Sequence, residues 1–200
     1  MRRSEEIAKF GYHLLEDRRK DIFEEQEHIK NKYKLNTNII ELIFKFYYAN
    51  SNISLGNVSK TIDFIAYVLK CYQYADEEIT KFITLNKRMI LSSYSDFRLR
   101  LAIFSKCNLF EDVFFKYSSL INYDGVVLGL STRELYAFAK KNNFDITLED
   151  YNKALNLSQK KKSNLIKKYP LTKEEINKID SDLLNMLKEI KKLNTQKHTL

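Results

Sequence analysis

The sequence predicts an all-α protein, with antiparallel helix pairs stacked as a short solenoid or an irregular bundle between long terminal helices. Apolar residues recur at three- and four-residue steps, which is the helical period. Four Gly and one Pro in 200 residues leave little turn chemistry for hairpins. No segment alternates apolar and polar residues for long. We expect three parts: a long N-terminal helix over 1–36, a helical-repeat body over 37–158, and a basic segment with an amphipathic helix over 159–200.

The N-terminal half of the chain predicts three helices. Ser4 can cap a first helix over about 5–34, whose second face carries charges of alternating sign and is typical of a solvated surface. A second helix over about 37–49 has few charges, so we expect it to be buried. Residues 54–57 interrupt the pattern, and a third helix follows to Tyr72.

The C-terminal half shows several helix starts. Asp76 and Ser95 each begin an apolar periodic stretch. Ser131 with Glu134, and Thr172 with Glu175, form capping boxes, in which a hydroxyl and a carboxylate each bond the other residue's backbone N–H. Thr147 begins a weaker version of the same box. We also expect a basic helix over 158–168 and a last helix over 173–193.

The middle of the chain contains a candidate repeat. An offset of 34 residues places 79–83 over 113–117, and it places 101–110 over 135–144. An offset of 36 places Lys70-Cys71 over Lys106-Cys107. The units would span about 38–74, 75–110 and 111–144, and stacking would bury their apolar faces. The alternative is that amphipathic helices match one another by chance.

The middle unit resembles the repeat of the mitochondrial transcription termination factor family. In that family short and longer helices alternate in a solenoid, and Lys87 stands near the place of the family's proline. The resemblance covers about 38–144 and implies binding of double-stranded nucleic acid along a basic surface. The matching positions are Ile79, Ile83, Asn86, Met89, Ile90, Leu101 and Phe104.

Residues for catalysis or metal binding are sparse. His13, His28 and His198 are far apart, and Cys71 and Cys107 lie in apolar stretches without a zinc-ligand spacing. We therefore expect no enzymatic activity, no catalytic residue, no cofactor and no metal. Glu5 and Glu6 follow soon after the first residues, which argues against a signal or transit peptide. Apolar runs are shorter than the roughly 20 residues of a membrane span. We expect a cytoplasmic protein that does not bind a membrane.

The charge pattern indicates a nucleic-acid partner. The chain has 34 Lys and Arg against 26 Asp and Glu, a net charge of +8. The net charge is +5 over 81–106 and +6 over 151–168, as binding to a phosphate backbone requires. Duplex DNA is favoured over RNA as the ligand. The alternative is that AT-rich coding bias accounts for the lysine-rich runs, which would then be solvated surface. The predicted contacts are Lys81, Lys87, Arg88, Arg98, Arg100, Lys106, Lys160, Lys161, Lys162, Lys167 and Lys168.

A helix-turn-helix is a further interpretation of residues 131–158. A recognition helix over 148–158 would present Asn152, Lys153, Asn156 and Gln159 to base edges. The link over 142–146 is longer than the usual turn, so the end of a helical array is the preferred interpretation.

The leading functional hypothesis is a non-enzymatic regulator of transcription or of a mobile element. The alternative is a helical adaptor that dimerises or binds a protein through its terminal amphipathic helices. The predicted partner-binding residues form an apolar stripe on the last helix: Ile176, Ile179, Leu183, Leu187 and Ile190.

Overall fold

The computed structural model describes residues 24, 27, 41–43, 45, 54–90, 92–121 and 129–197. These residues form helices and turns without any strand, which confirms the all-α prediction. Apart from Glu24 and Glu27, which are helical and exposed, the predicted first helix lies outside the described residues, as does most of the second. Leu42 and Ile43 are helical and belong to the buried core, as expected for the second helix.

Short turns separate the described α-helices, and the α-helices from Leu55 onward are numbered in chain order. A 3-10 turn covers Lys87–Ile90, a π-helical turn covers Asp112–Lys116, and a second 3-10 turn covers Ser118–Leu120. The α-helices are α1 (Leu55–Cys71), α2 (Asp76–Leu85), α3 (Tyr94–Lys106), α4 (Thr132–Lys141), α5 (Leu148–Leu155), α6 (Gln159–Lys168) and α7 (Lys173–Lys197).

Side-chain caps explain where most of these helices begin. Ser131 accepts from the Glu134 amide at 3.3 Å, and the Glu134 carboxylate accepts from the Ser131 amide at 2.7 Å. The same reciprocal bonds join Thr147 with Asp150 and Thr172 with Glu175, so all three predicted capping boxes are confirmed.

Two predicted helix starts are shifted in the structure. Ser93, and not Ser95, caps α3, because its hydroxyl accepts from the Asp96 amide at 3.3 Å. Ser54 caps α1, so residues 55–57 form its first turn instead of an interruption.

Helices α1, α3 and α4 end in the same backbone geometry. Gln73, Asn108 and Asn143 follow these helices with φ of 66°, 56° and 53°. After each, the next amide bonds back to a carbonyl five residues earlier, which is the Schellman pattern. These residues are 35 apart, whereas the sequence offset of 34 pairs Asn108 with Asn142. The helical repeat itself stays a prediction.

Helix α7 packs across the body and completes its core. Its most extensive contacts are with α3, followed by α1, while α6 packs mainly against α4. Ile179, Leu183 and Leu187 are buried in the same apolar cluster as residues of α1 and α3. The segment over 159–197 therefore shares its core with the preceding helices.

Candidate nucleic-acid interface

Arg100, a predicted phosphate contact, lies inside the protein. Its side chain is 0% exposed. The guanidinium donates to the Leu130 carbonyl at 2.7 Å and to the Leu120 carbonyl at 2.6 Å. It thereby joins the two chain segments on either side of residues 122–128. The prediction that Arg100 contacts nucleic acid is wrong, because its donors bind backbone carbonyls of its own chain.

Arg98 is also used within the fold. Its Nε and Nη2 donate to both carboxylate oxygens of Asp180 on α7, at 2.5 and 2.6 Å. Its Nη1 donates to the Tyr94 hydroxyl at 2.8 Å, and the guanidinium lies over the Phe64 ring. This two-pronged ion pair fixes α7 to α3, so Arg98 is a structural residue in this conformation.

The other cations of the first predicted patch differ in their surroundings. Lys106 is half-buried, with its ammonium 4.8 Å from the Phe144 ring centroid and 3.9 Å from Asp182. Lys81 is exposed on α2. The side chains of Lys87 and Arg88 lie outside the described part of the chain. Part of the positive charge over 81–106 is therefore neutralised within the protein, because Arg98 and Lys106 form ion pairs with acidic residues of α7.

A third ion pair joins α7 to α4. Lys140 donates to the carboxylate of Glu175, and the ammonium lies 5.5 Å from the Tyr136 ring centroid. Desolvation would raise the pKa of Glu175, but hydrogen bonds from Lys140, Tyr136 and the Thr172 amide lower it to about 2. Burial, together with the bond to Glu175, raises the pKa of the Tyr136 hydroxyl to about 12. Three acidic residues in the N-terminal half of α7 thus form ion pairs with cations of α3 and α4.

Helix α6 keeps its cations at the surface. Lys160 and Lys167 are seven residues apart, as are Lys161 and Lys168, and all four are exposed. At 100° per residue they fall within an arc of about 120°, with exposed Asn164 between them. We call these four lysines the α6 lysine face. No described carboxylate lies within ion-pair distance of it.

Lys162 lies on the opposite side of α6. Its angular position falls between those of Leu165 and Ile166, which are partly buried, and it is only 8% exposed. Its aliphatic stem covers the surface on which α6 packs, as long basic side chains commonly do. Lys162 is therefore not part of the α6 lysine face, and its contact with phosphate stays a prediction.

The first turn of α6 carries lysines, whereas most of the other helices carry acids there and α1 carries neither. The first turns of α2, α3, α4, α5 and α7 contain acidic residues. Their negative charge interacts favourably with the positive end of the helix dipole. The first turn of α6 has no acid and carries Lys160 and Lys161 after the capping Ser158. Helix dipole and lysines therefore add to one positive potential at this end.

The helix-turn-helix interpretation gains no support from the geometry. Helix α5 ends at Leu155, so Gln159 belongs to α6. Lys153 pairs with Glu149 at 2.9 Å, and the Asn156 amide donates to the Asn152 carbonyl. Of the four side chains proposed for base recognition, only Asn152, Lys153 and Asn156 are thus on α5 or at its end. Lys153 and Asn156 already contact neighbouring residues of the same helix.

The apolar stripe of α7 faces its own chain. Ile179, Leu183 and Leu187 are buried in the core, and Ile190 packs partly buried against it, while Ile176 is half-exposed. These side chains are covered by α1 and α3 as long as α7 is docked. Among the described residues, the large apolar side chains that are exposed are Leu85, Tyr117 and Leu193.

Other kinds of site have little basis in the described part of the chain. There, no group of three or more His, Cys, Asp or Glu could hold a metal ion. The histidines lie outside the described residues. Burial raises the pKa of the Cys107 thiol to about 12, which keeps it protonated and unreactive. No described helix is long and apolar enough to cross a membrane.

Sequence reasoning missed one basic surface. Lys188, Lys191 and Lys192 on the C-terminal half of α7 line a groove with Tyr67 of α1. The available signal was a net charge of +3 over 186–197, which the acidic first half of the same helix concealed.

No protein-family model matches the chain, and no curated protein or solved structure matches it either.

Proposed function

We propose that this protein is a non-enzymatic nucleic-acid-binding protein that contacts the phosphate backbone of duplex DNA through α6. A role in regulating transcription or a mobile element fits such an activity. The α6 lysine face carries the proposal: four exposed lysines and one amide on a single helix face, without a neutralising acid among the described residues. The resemblance of residues 38–144 to mitochondrial transcription termination factors implies the same class of ligand.

The dimensions of the α6 lysine face suit a duplex. Lys160 and Lys167 are separated by about 10 Å along the helix axis, at 1.5 Å per residue. With both strands counted, duplex DNA carries about one charge per 1.7 Å of its axis, so this length of duplex contains roughly six phosphates, about three on each strand. Lysines supply the ionic contacts, and Asn164 supplies a neutral donor of the kind that also contacts phosphate oxygens.

Charge removal on α6 tests the proposal. The α6 triple variant changes Lys160, Lys161 and Lys167 to Gln and spares Lys168, whose ammonium lies over the Tyr169 ring. The control triple variant changes Lys60, Lys70 and Lys116 to Gln. These are exposed lysines on α1 and the π-helical turn, which do not pack extensively on α6. Both variants have the same net charge.

Fluorescence anisotropy with a labelled duplex gives the readout. Three lost phosphate contacts at 0.1 M salt reduce affinity by about 100-fold, whereas the control variant stays within a few fold of the wild type. Equal losses in the two variants would mean that only net charge matters, and this would refute a specific α6 interface. Absence of binding by the wild type to duplex DNA, single strands and RNA would refute the proposed function.

A second candidate function, protein binding, is favoured by one observation. Leu85 is 73% exposed and Tyr117 is 49% exposed, and a hydrogen bond from Ser118 to Asn86 places these two side chains in one region. We propose a second copy of this chain as the partner. Light scattering on the wild type and on a Leu85→Lys variant tests it: a dimer that the substitution dissociates supports this candidate, and a wild-type monomer refutes it.

A further inference from the structure

A groove between α1 and α7 has the composition of a ligand site. Its volume is about 480 Å³, within the usual range of roughly 300–1,000 Å³ for small-ligand pockets. We call it the α1–α7 groove. Among the described residues it is lined by Tyr67, Lys188, Lys191, Lys192, Thr195 and Gln196, a set without a carboxylate.

The charge of this groove follows from how α7 is docked. Asp180, Asp182 and Glu175 in the first half of α7 meet Arg98, Lys106 and Lys140 of the body. In the second half, no described carboxylate lies within ion-pair distance of Lys188, Lys191 or Lys192. Three lysines without a described acidic partner therefore line one groove, and their charge favours an anionic ligand.

Both walls of the groove are held in place. The Asn194 amide donates to the Cys71 carbonyl at 3.0 Å, and the Gln73 amide donates to the Asn194 carbonyl at 2.7 Å. On the facing wall, Tyr67 packs beside Phe64, with ring centroids 6.3 Å apart. Because these bonds tie the end of α7 to the end of α1, the aromatic ring and the lysines keep their relative positions.

We propose that the α1–α7 groove binds one unpaired nucleotide of a single-stranded nucleic acid, with its base against Tyr67 and its phosphates among the three lysines. Aromatic side chains beside basic groups are the combination that binds single strands, because every base has a face that can stack. Gln196 adds a neutral hydrogen-bonding group to the groove lining. This inference rests on the proposed nucleic-acid function but uses a surface separate from α6.

Binding of a labelled thymidine oligonucleotide of about 10 residues tests the groove. The ring variant is Tyr67→Leu, with Tyr67→Phe as its matched control because Phe keeps the stacking surface. The groove triple variant changes Lys188, Lys191 and Lys192 to Gln, and these exposed positions leave folding intact. An abasic strand of the same length carries the phosphates without bases.

We expect Tyr67→Leu and the groove triple variant each to weaken binding by about tenfold or more, while Tyr67→Phe stays within about twofold. The abasic strand should bind the wild type about as weakly as the thymidine strand binds Tyr67→Leu. Equal wild-type affinity for the abasic and thymidine strands would overturn the proposal. Unchanged binding by the groove triple variant would also overturn it, even if Tyr67→Leu fails to fold.

Two further measurements separate this inference from the α6 proposal. If the α6 triple variant loses duplex binding while all groove variants bind single strands normally, the groove proposal fails and the α6 proposal stands. If single-strand binding depends on Tyr67 while the α6 triple variant binds the duplex as well as the wild type does, the groove proposal stands and the α6 proposal fails. Competition by poly-glutamate as strong as that by the thymidine strand would assign the groove to acidic peptides and overturn the proposal.

Discussion

Replacement of Leu183 by Ala distinguishes a core role for α7 from a partner-binding role. Leu183 is 0% exposed, and a buried Leu→Ala change costs about 2–5 kcal/mol through lost burial and the cavity left behind. For a chain of this size each kcal/mol lowers the melting temperature by roughly 2–4 °C. We therefore expect the Leu183→Ala variant to melt about 4–20 °C below the wild type.

Leu193→Ala is the matched control, because it is the same substitution on the same helix at a side chain that is 59% exposed. Both changes alter helix propensity equally, so their difference isolates burial. We expect Leu193→Ala to change stability by less than about 0.5 kcal/mol. Thermal denaturation and light scattering should be measured on both variants. If Leu183→Ala dissociates an oligomer and leaves the melting temperature unchanged, the assignment of α7 to the core is refuted.

Three further predictions concern the polar contacts that hold the helices together. Arg98→Met and Asp180→Asn should each lower the free energy of unfolding by about 1.5–3 kcal/mol, and a double-mutant cycle by urea denaturation should give a smaller loss than their sum; additive losses would refute the pairing. Glu175→Gln should lower stability by about 1 kcal/mol at neutral pH. Because folding lowers the Glu175 pKa to about 2, its contribution is full above the unfolded pKa near 4.5, so this difference should disappear as the pH falls from 4.5 towards 2; a difference that persists at pH 2 would contradict the assignment. Arg100→Lys should cost about 2 kcal/mol, since one ammonium cannot reach both carbonyls, without altering the salt dependence of DNA binding.

The local features of the fold could be predicted from the sequence. The capping boxes of Ser131, Thr147 and Thr172 involve residues three positions apart, so their partners are fixed by the chain itself. The sequence predicts that α3 starts at Ser95, but Ser93 is an equally good capping residue, and only tertiary structure distinguishes the two. The Asn57 side chain donates to the Ser92 carbonyl and accepts from the Tyr94 backbone amide, and these two bonds fix the chain at that point.

Long-range contacts were beyond the reach of sequence patterns. The period of the α7 stripe shows that Leu183 and Leu187 share a face, but it does not say whether a partner or the same chain covers that face. Net charge likewise counts Arg98 and Arg100 with the surface cations, although Asp180 and two carbonyls engage them inside the fold. The α6 lysine face was predictable because helical spacing alone places its lysines together.

The salt dependence of duplex binding tests the central claim most directly. The logarithm of the binding constant should fall linearly with the logarithm of the salt concentration, with a slope of about 0.9 per neutralised phosphate. We expect the slope of the α6 triple variant to be shallower than that of the wild type by about 2–3, while the control triple variant keeps the wild-type slope. Parallel lines for the wild type and the α6 triple variant would contradict the assignment of the phosphate contacts to α6.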